Sequence, residues 1–205
     1  MNKIDRLFQG AIFLDVGCHT GQTLDAVTKY KYDFRTIYGF EPMPRQFSHL
    51  VRAYRTFSNV QVFDYGLGDH TGITTLYGSN ERFESSIYAE KSDVATIDQT
   101  ACTIVEASNW FQRNLTEDDV VIMKINAEGS EIPIMNNLID SGQVWKIYNV
   151  MLDFDIRRVV GMEHTEQELL QRMADIGFTR FSLCDNVMRG FTHQDRIENW
   201  LSTIE

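Results

Sequence analysis

The sequence contains few cysteines and prolines and no long hydrophobic run. Its three cysteines, Cys18, Cys102 and Cys184, lie far apart without a CxxC pair or His-rich spacing, which argues against a disulfide framework and against a structural metal site. Three prolines in 205 residues exclude collagen-like and low-complexity chains. No apolar run approaches the roughly 18 residues needed to span a bilayer, and the N-terminus lacks the apolar stretch of a secretory signal. We therefore expect a cytoplasmic protein with no membrane segment.

Basic side chains are also scarce. The 19 lysines and arginines stand against 29 aspartates and glutamates, which gives a formal net charge of −10. Such a surface repels the phosphate backbone of nucleic acids, so we predict no nucleic-acid partner. The length suits one domain rather than two, and there is no internal repeat or linker. The sequence therefore predicts a single domain over residues 1–205.

Short β-rich segments alternate with segments of helical periodicity, which is typical of a parallel sheet with crossover helices. We predict strands at 11–16, 36–40, 60–63, 73–77, 120–125, 148–152, 178–183 and 187–191. We predict helices at 23–30, 44–54, 105–114, 130–140, 165–176 and 195–201, and Thr165 with Glu168 has the spacing of a capping box. Residues 79–102 are polar, lack a clear period and exceed the usual length of a connecting loop. This segment is interpreted as an insertion that binds substrate or acts as a lid, with a disordered excursion as the alternative.

The first predicted strand runs into a glycine-bearing loop at residues 15–21, with the sequence DVGCHTG. Such a loop lets a ligand approach the backbone closely. Glu41 follows the loop by about 20 residues at the end of the next strand, where an acid can accept hydrogen bonds from both hydroxyls of a ribose. Together these features indicate a cofactor that contains adenosine, although a turn that only connects strand to helix remains the alternative.

The charge pattern of the loop distinguishes between two cofactors. A dinucleotide site requires GxGxxG, but here His19 stands where the middle glycine would be, and Asp15 precedes the first glycine. An acid is unfavourable beside a pyrophosphate and favourable beside an amino group. S-adenosylmethionine carries an ammonium, a sulfonium and no phosphate, so it fits better. His19 adopts a left-handed backbone more readily than most residues. A nicotinamide-dependent oxidoreductase remains an alternative.

Four segments in order, FLDVGCHTGQT, YGFEPMP, YGLGDHTG and MKINAEGSE, resemble the motifs of the FkbM-type S-adenosylmethionine-dependent methyltransferases. The resemblance extends from about residue 11 to residue 155. It implies an α/β fold with the Rossmann-like class I methyltransferase sheet, which has seven mostly parallel strands, an antiparallel last strand and helices on both faces. It also implies methylation of hydroxyl oxygens, often on sugars or natural products, so we expect a small-molecule or saccharide acceptor.

The resemblance further implies a set of site residues. Asp15, Gly17 and Gly21 would line the methionine end of the cofactor, Glu41 would hold the ribose, and residues 66–68 would lie near the adenine. A serine-bearing segment near the active site corresponds to Ser85 and Ser86, which we assign to substrate. The complete expected cofactor site consists of Asp15, Gly17, Cys18, His19, Gly21, Thr23, Glu41, Pro42, Gly66, Leu67, Gly68 and Asn126.

One position departs from the family pattern. The family usually reads K-I-D-x-E-G-x-E after the fourth strand, whereas this chain has Asn126 in place of the aspartate. An amide cannot act as a general base and is a poorer ligand for a hard cation, but it can still hydrogen-bond. The substitution leaves open a protein that binds S-adenosylmethionine without catalysis.

A hydroxyl acceptor needs a base at the carboxyl ends of the strands, where open α/β sheets bind ligands. We assign this role to Glu128, with Asn126 beside it; the alternative is that Glu128 only shapes the turn. Glu131 is expected to be structural. Asp153 and Asp155 alternate across one residue and are expected to point the same way, towards a polyhydroxylated acceptor or, alternatively, a divalent metal.

Two expectations concern the surroundings of the site. Lys124 lies within an apolar strand and is expected to pair with a carboxylate. Only about ten residues precede the first strand, so the cover over the cofactor must come from segment 79–102, from the C-terminal helix or from another subunit. This leaves a homo-oligomer open.

Overall fold

The computed structural model of the protein describes residues 8–29, 32–78, 85–89, 98–162 and 164–204. The strands are β1 (Ile12–Val16), β2 (Thr36–Phe40), β3 (Val60–Phe63), β4 (Tyr65–Gly68), β5 (Gly72–Gly78), β6 (Ser85–Ser86), β7 (Gln99–Glu106), β8 (Val121–Ile125), β9 (Ile147–Leu152) and β10 (Phe181–Leu183). The α-helices are α1 (Gln22–Val27), α2 (Pro44–Tyr54), α3 (Ala107–Asn114), α4 (Glu131–Asp140), α5 (Thr165–Asp175), α6 (Cys184–Val187) and α7 (His193–Ser202). Among these residues, no helix is both long and apolar enough to cross a membrane.

The main sheet has six strands in the order β10-β9-β8-β1-β2-β3, and every neighbouring pair is parallel. The chain winds outward from β1 to β3 in one direction and from β8 to β10 in the other. The order therefore reverses between β1 and β8, which is where doubly wound sheets open a ligand crevice at the carboxyl ends of their strands.

Alternating side chains of the central strand β1 build both hydrophobic layers. Ile12, Leu14 and Val16 pack in the layer that holds α3, α4 and α5. Phe13 points to the opposite layer, which holds α1, α2 and α7, and its ring centroid lies 6.1 Å from that of Trp200. Because both faces of the sheet are covered, the central strands are buried throughout.

A second sheet of four strands, in the order β4-β7-β5-β6, stands beside the carboxyl ends of the main sheet. Here β4 pairs with β7 in parallel, whereas β5 is antiparallel to both β7 and β6. Ile104 on β7 packs against Gly66 and Gly68 of β4, where an added Cβ would lie 2.9 Å and 2.5 Å from its side chain. This sheet supplies one wall of the cleft described below.

The α/β class, the largely parallel sheet and the helices on both faces are confirmed. The expected seventh, antiparallel strand is not found in the main sheet within the described residues. Residues 187–191, predicted to be a strand, begin with the last residue of α6 instead. The side chain of Asn199 on α7 donates a hydrogen bond to the carbonyl of Val187 over 2.6 Å, so this backbone group is bonded to a helix rather than to a strand.

Several predicted boundaries are wrong, and the strand predicted at 178–183 begins only at Phe181. Residues 105–106 continue strand β7 instead of starting a helix, because Val105 pairs with Leu67 of β4. The same strand includes residues 99–102, which the sequence places in the insertion. Of the rest of that segment, Ser85–Ser86 form β6, whereas residues 79–84 and 90–97 lie outside the described residues. The single-domain organisation and the lid role stay predictions.

The predicted capping box of α5 is also wrong. The Thr165 hydroxyl donates to the Met162 carbonyl over 2.7 Å, and His164 stands at the N-cap position without a capping side chain. A capping box does occur on α7, where Thr192 and Asp195 bond each other's backbone N–H groups. The Thr165 hydroxyl is bonded to the preceding turn and does not cap the helix. The spacing of Thr165 and Glu168 in the sequence does not reveal this contact.

Candidate active site

A cleft of about 240 Å³ lies at the carboxyl ends of β1, β2 and β8, against the second sheet. Ten of the residues predicted for the site line it: Gly17, Cys18, His19, Thr23, Glu41, Pro42, Gly66, Leu67, Asn126 and Glu128. The crossover topology therefore brings together residues from four separate motifs of the sequence. This is the position at which a doubly wound sheet binds its ligand.

The glycine loop is held tightly between its two neighbouring strands. Gly17 has φ +79°, and an added Cβ would lie 1.9 Å from the carbonyl oxygen of Asn126. The N–H groups of Gly17 and Cys18 both donate to the Phe40 carbonyl, at 3.1 and 3.2 Å. His19 has φ +49°, in agreement with the left-handed conformation expected for it. The backbone of this loop is thus fixed by contacts within the protein.

Glu41 closes the loop from the end of β2. Its Oε2 accepts the His19 N–H over 2.7 Å and its Oε1 accepts the Met43 N–H over 3.0 Å. The side chain is 5% exposed, and burial raises the pKa of its carboxyl to about 7 against the lowering effect of these two N–H groups. Each carboxylate oxygen has a second lone pair, so Glu41 can also accept hydrogen bonds from ligand hydroxyls.

Three residues expected at the cofactor do not line the cleft. Asp15 is fully buried beneath it. Gly21 has φ +91° and abuts Tyr54, whose hydroxyl would lie 2.6 Å from an added Cβ. Gly68 lies under Ile104 of the second sheet. These three residues support the cleft by packing against other parts of the protein. A sequence motif does not distinguish such a packing role from direct contact with a ligand.

Lys124 forms the expected buried ion pair. Its Nζ lies 3.0 Å from Oδ1 of Asp15, and both side chains are almost completely buried. Burial disfavours the ammonium, but the charge and hydrogen bond of Asp15, with a smaller effect from Asp153, together outweigh burial, so the pKa of Lys124 lies above its usual value. Because Lys124 also lines the cleft, a positive charge stands at its floor.

The loop after β8 carries Glu128 in an unusual conformation. Glu128 has φ +55°, a region that few residues other than glycine adopt. The buried carboxylate of Glu131 accepts the N–H groups of Ala127 and Gly129, at 2.8 and 3.0 Å. Burial raises the pKa of Glu131 to about 8, and those N–H groups oppose the shift. Glu131 therefore has a structural role in this turn, and Glu128 is among the residues that line the cleft.

The predicted substrate residue Ser86 contacts the same loop from β6. Its buried hydroxyl donates to the Glu128 carbonyl over 2.6 Å and accepts the Tyr88 N–H over 3.2 Å. The Tyr88 ring covers Gly129 closely, at 3.0 Å from where a Cβ would stand. Ser86 thus positions the loop and does not line the cleft, whereas the side chain of Ser85 lies outside the described residues.

Asp153 and Asp155 do not share a strand face, contrary to expectation. Strand β9 ends at Leu152, and the chain then turns so that the Asp155 N–H donates to the Asp153 carbonyl. Asp153 accepts a hydrogen bond from Asn126 Nδ2 over 3.1 Å, while Asp155 lies 3.4 Å from Arg158. Neither aspartate lines the cleft. Over the described part of the chain, no three His, Cys, Asp or Glu side chains are grouped as a metal site would require.

Several cleft residues were not predicted, and His193 is the most informative of them. It begins α7 and its Nε2 lies 3.0 Å from the Thr23 hydroxyl. Burial lowers its pKa to about 4, with smaller effects from Lys124 and Arg196, so the imidazole is neutral at pH 7. The cleft is also lined by Leu76 and Ile104 of the second sheet and by Ile87, which follows β6. No local motif marks these residues, because they reach the cleft only through tertiary packing.

This combination of a doubly wound sheet and a cleft at its switch point is the arrangement in which open α/β proteins bind their ligands. The model of the methyltransferase FkbM domain matches residues 15–183. The chain therefore belongs to the FkbM methyltransferase family, and this membership supports methyltransferase activity.

Solved structures to which the chain is similar include the following two. A methyltransferase FkbM from Methylobacillus flagellatus KT is 16% identical, with a TM-score of 0.41, over 64% of this chain and 30% of that chain. A chain of a fibrillarin/Nop5p complex is 12% identical, with a TM-score of 0.41, over 81% of this chain and 61% of that chain. The present chain thus spans less than two thirds of either. No curated protein has a significantly matching sequence.

Proposed function

We propose that the protein transfers a methyl group from S-adenosylmethionine to a hydroxyl of a small-molecule or carbohydrate-like acceptor in the cytoplasm. The observation that carries this proposal is the convergence of Glu41, the glycine loop and Glu128 on one cleft. The first two form a site for a nucleoside, and the third supplies a carboxylate beside it.

The residues of the cleft fit S-adenosylmethionine better than a dinucleotide. The N–H groups of Gly17, Cys18 and His19 are already bonded to Phe40 or Glu41, so these three donors are not available to a pyrophosphate. Glu41 would hold the ribose hydroxyls, and Leu67 and Ile104 offer an apolar wall for the adenine. When bound, the sulfonium supplies a methyl carbon that is already activated for displacement.

The chain's own contribution is to orient the acceptor and to take its proton. Glu128 lines the cleft, and its backbone is held from one side by Glu131 and from the other by Ser86. Such support keeps a catalytic group in one geometry, which lowers the cost of aligning the reacting atoms. Glu128 would accept the proton of the acceptor hydroxyl, whereas Asn126 can contribute only hydrogen bonds.

Titration calorimetry with S-adenosylmethionine and S-adenosylhomocysteine tests the cofactor, and an acceptor panel assayed for S-adenosylhomocysteine tests the transfer. Glu128→Gln is expected to lower turnover about 100-fold or more with little change in cofactor affinity. Glu117→Gln, at a glutamate whose side chain is 83% exposed, is the matched control. Failure to bind either cofactor at millimolar concentration would overturn the proposal.

A second candidate, a protein that binds S-adenosylmethionine without catalysis, is favoured by one contact. The Asn126 amide is bonded to Asp153, so the position that carries an acid in the family pattern here holds a neutral group. Cofactor binding without turnover across the whole panel, in wild type and in Asn126→Asp alike, would favour this candidate over the enzyme.

A further inference from the structure

A second cavity, of about 490 Å³, lies outside the cleft. It is bounded by strands β4 and β7, by helix α3 and by the loop between β4 and β5, and over the described residues it shares no lining residue with the cleft. Val105 lines this cavity, whereas its neighbour Ile104 on β7 lines the cleft, so the two sites lie on opposite faces of the second sheet. The proposed function gives the second cavity no role.

Two amide oxygens in the second cavity are left without hydrogen bonds by the contacts that hold their side chains. Asn109 donates a hydrogen bond to the carboxylate of Glu106, and Asn114 donates one to the carbonyl of Trp110 over 2.8 Å. Both partners only accept, so each contact uses the Nδ2 atom and turns the Oδ1 atom the other way. Since neither Oδ1 atom bonds to a described residue, both can accept a hydrogen bond from a ligand.

Two hydroxyl groups in the second cavity have an unused hydrogen. The Thr71 oxygen accepts the Glu106 N–H over 3.0 Å. Burial raises the pKa of Tyr65, and a hydrogen bond from the Trp110 side chain opposes this shift. The indole N–H of Trp110 only donates, so the Tyr65 oxygen is the acceptor. Within the described part of the chain neither hydroxyl donates a hydrogen bond, so each can donate to a ligand.

Arg113 adds a positive charge at the exposed edge of the second cavity. Arg35, Arg157 and Arg172 each lie against a carboxylate, whereas the Arg113 guanidinium has no hydrogen bond or ion pair with any residue that the structure describes. A guanidinium presents a planar fork of N–H donors that matches a carboxylate. In a chain with a net charge of −10, this arginine is therefore complementary to an anionic ligand rather than to the protein's own acids.

We propose that the second cavity binds a hexuronate, a hexose ring that carries a carboxylate, with Arg113 on the carboxylate and the Asn109 and Asn114 oxygens on ring hydroxyls. Sugar hydroxyls both donate and accept, so the same ligand also accepts hydrogen bonds from Thr71 and Tyr65. The volume of the cavity falls within the range of about 300–1,000 Å³ for small-molecule sites. The inference is independent of the proposed function, because the two sites have no lining residue in common.

Titration of the isotope-labelled protein with glucuronate, glucose and acetate, followed by NMR, tests this site. Glucose has the ring hydroxyls without the carboxylate, and acetate has the carboxylate without the ring. Glucuronate should shift the backbone and side-chain signals of residues 105–114. It should bind at least about 10-fold more tightly than either of the other two compounds, since the charge-assisted hydrogen bonds of Arg113 add to those of the ring.

Two variants separate the parts of the ligand. Arg113→Met should lower the affinity for glucuronate about 10-fold, to that for glucose, and leave the affinity for glucose unchanged. Asn114→Ala should weaken both sugars by a similar factor, because it removes a partner of a ring hydroxyl. Arg55→Met is the matched control, since Arg55 is also exposed but follows α2, away from the second cavity. It should change neither affinity. All three side chains are exposed, and circular dichroism verifies that the variants are folded.

Three outcomes would overturn the second site. One is the absence of shifts at residues 105–114 with glucuronate at tens of millimolar. Another is an equal affinity for glucuronate in wild type and Arg113→Met. The third is a set of shifts confined to the cleft, at residues 17–23 and 41, together with displacement of the sugar by S-adenosylhomocysteine. None of these outcomes decides the proposed function, because binding of the methyl donor is measured separately.

Discussion

A Cβ added to Gly17 would lie 1.9 Å from the carbonyl oxygen of Asn126. The loop after β1 and the loop after β8 are therefore in direct backbone contact across the cleft floor. The Asn126 N–H also donates to the Val16 carbonyl over 3.0 Å, which links the same two segments. Because one loop is expected to hold the cofactor and the other carries Glu128, their contact sets the relative position of the two groups.

Replacement of Gly17 tests how strictly this contact is required. Gly17→Ala should lower the free energy of unfolding by more than about 3 kcal/mol or prevent folding, because the methyl group meets rigid backbone. Gly142→Ala is the matched control, since Gly142 has a similar φ of +73° but no atom within 4 Å of an added Cβ. This variant should lower the free energy of unfolding by only about 1 kcal/mol, because alanine is disfavoured in the left-handed backbone conformation.

Urea denaturation of the two variants measures the difference. Equal losses of stability in Gly17→Ala and Gly142→Ala would show that only the backbone conformation matters at position 17. The two loops would then be able to move apart to accommodate the added methyl group.

The pKa of Glu41, at about 7, predicts a pH dependence of nucleoside binding. Ribose hydroxyls donate more strongly to a carboxylate than to a carboxylic acid, so affinity should rise as the pH increases through 7. Between pH 6 and pH 8 the affinity for 5′-methylthioadenosine should increase up to about 10-fold. His193 stays neutral over this range, because its pKa is about 4.

Titration calorimetry at pH 6, 7 and 8 provides the measurement, and Glu41→Gln provides the control. The variant should bind more weakly and lose this part of the pH dependence, whereas Glu131, with a pKa of about 8, titrates in both proteins. A rise of the same size in Glu41→Gln would assign the effect to another group.

Asn126→Asp should create an unfavourable carboxylate pair with Asp153. The two carboxyl groups would be about 3 Å apart, so the pKa of one of them must rise. The folded protein then binds a proton that the unfolded chain releases, and stability falls as the pH rises. We expect the variant to lose about 1 to 3 kcal/mol relative to wild type between pH 5 and pH 8.

The exchange variant, Asn126→Asp with Asp153→Asn, restores one amide and one carboxylate at the same contact. Urea denaturation at both pH values should show that it regains most of the stability lost at pH 8. A single variant as stable as wild type at pH 8 would mean that the two side chains separate in solution.

Ser86→Ala should loosen the loop that carries Glu128. The variant leaves the Glu128 carbonyl without its donor, at a cost of about 1 to 3 kcal/mol. Turnover should fall more than cofactor affinity, since the loop positions Glu128. Ser141→Ala, which removes an exposed serine that also donates to backbone carbonyls, is the control and should change little.

Urea denaturation and assays of S-adenosylhomocysteine release with the best acceptor of the panel measure both effects. If Ser86→Ala lowered stability but left turnover intact, Ser86 would support the fold and not the position of Glu128.

Much of the fold was predictable from local patterns. The strand at Thr36–Phe40 and the helix at Pro44–Tyr54 have the predicted limits, because alternating apolar residues and an N-terminal proline are local signals. The strand expected at 187–191 is wrong, because Val187 ends helix α6 and its carbonyl accepts hydrogen bonds from the Asn199 side chain of α7 and from the Arg189 N–H. The pairing of Lys124 was predicted, but its partner Asp15 was not, because residues 109 positions apart meet only through sheet order.

By itself, the sequence determined the alternation of strands and helices, the glycine loop, Glu41 at the end of β2 and the motif around Glu128, because each depends on neighbours along the chain. Only the tertiary structure decided that Asp15 lies beneath the cleft, that Ser86 holds the Glu128 loop and that His193 closes the cleft beside Thr23. These contacts join residues 42 or more positions apart. They follow from the order of strands across two sheets, a property of the packed chain that no local pattern encodes.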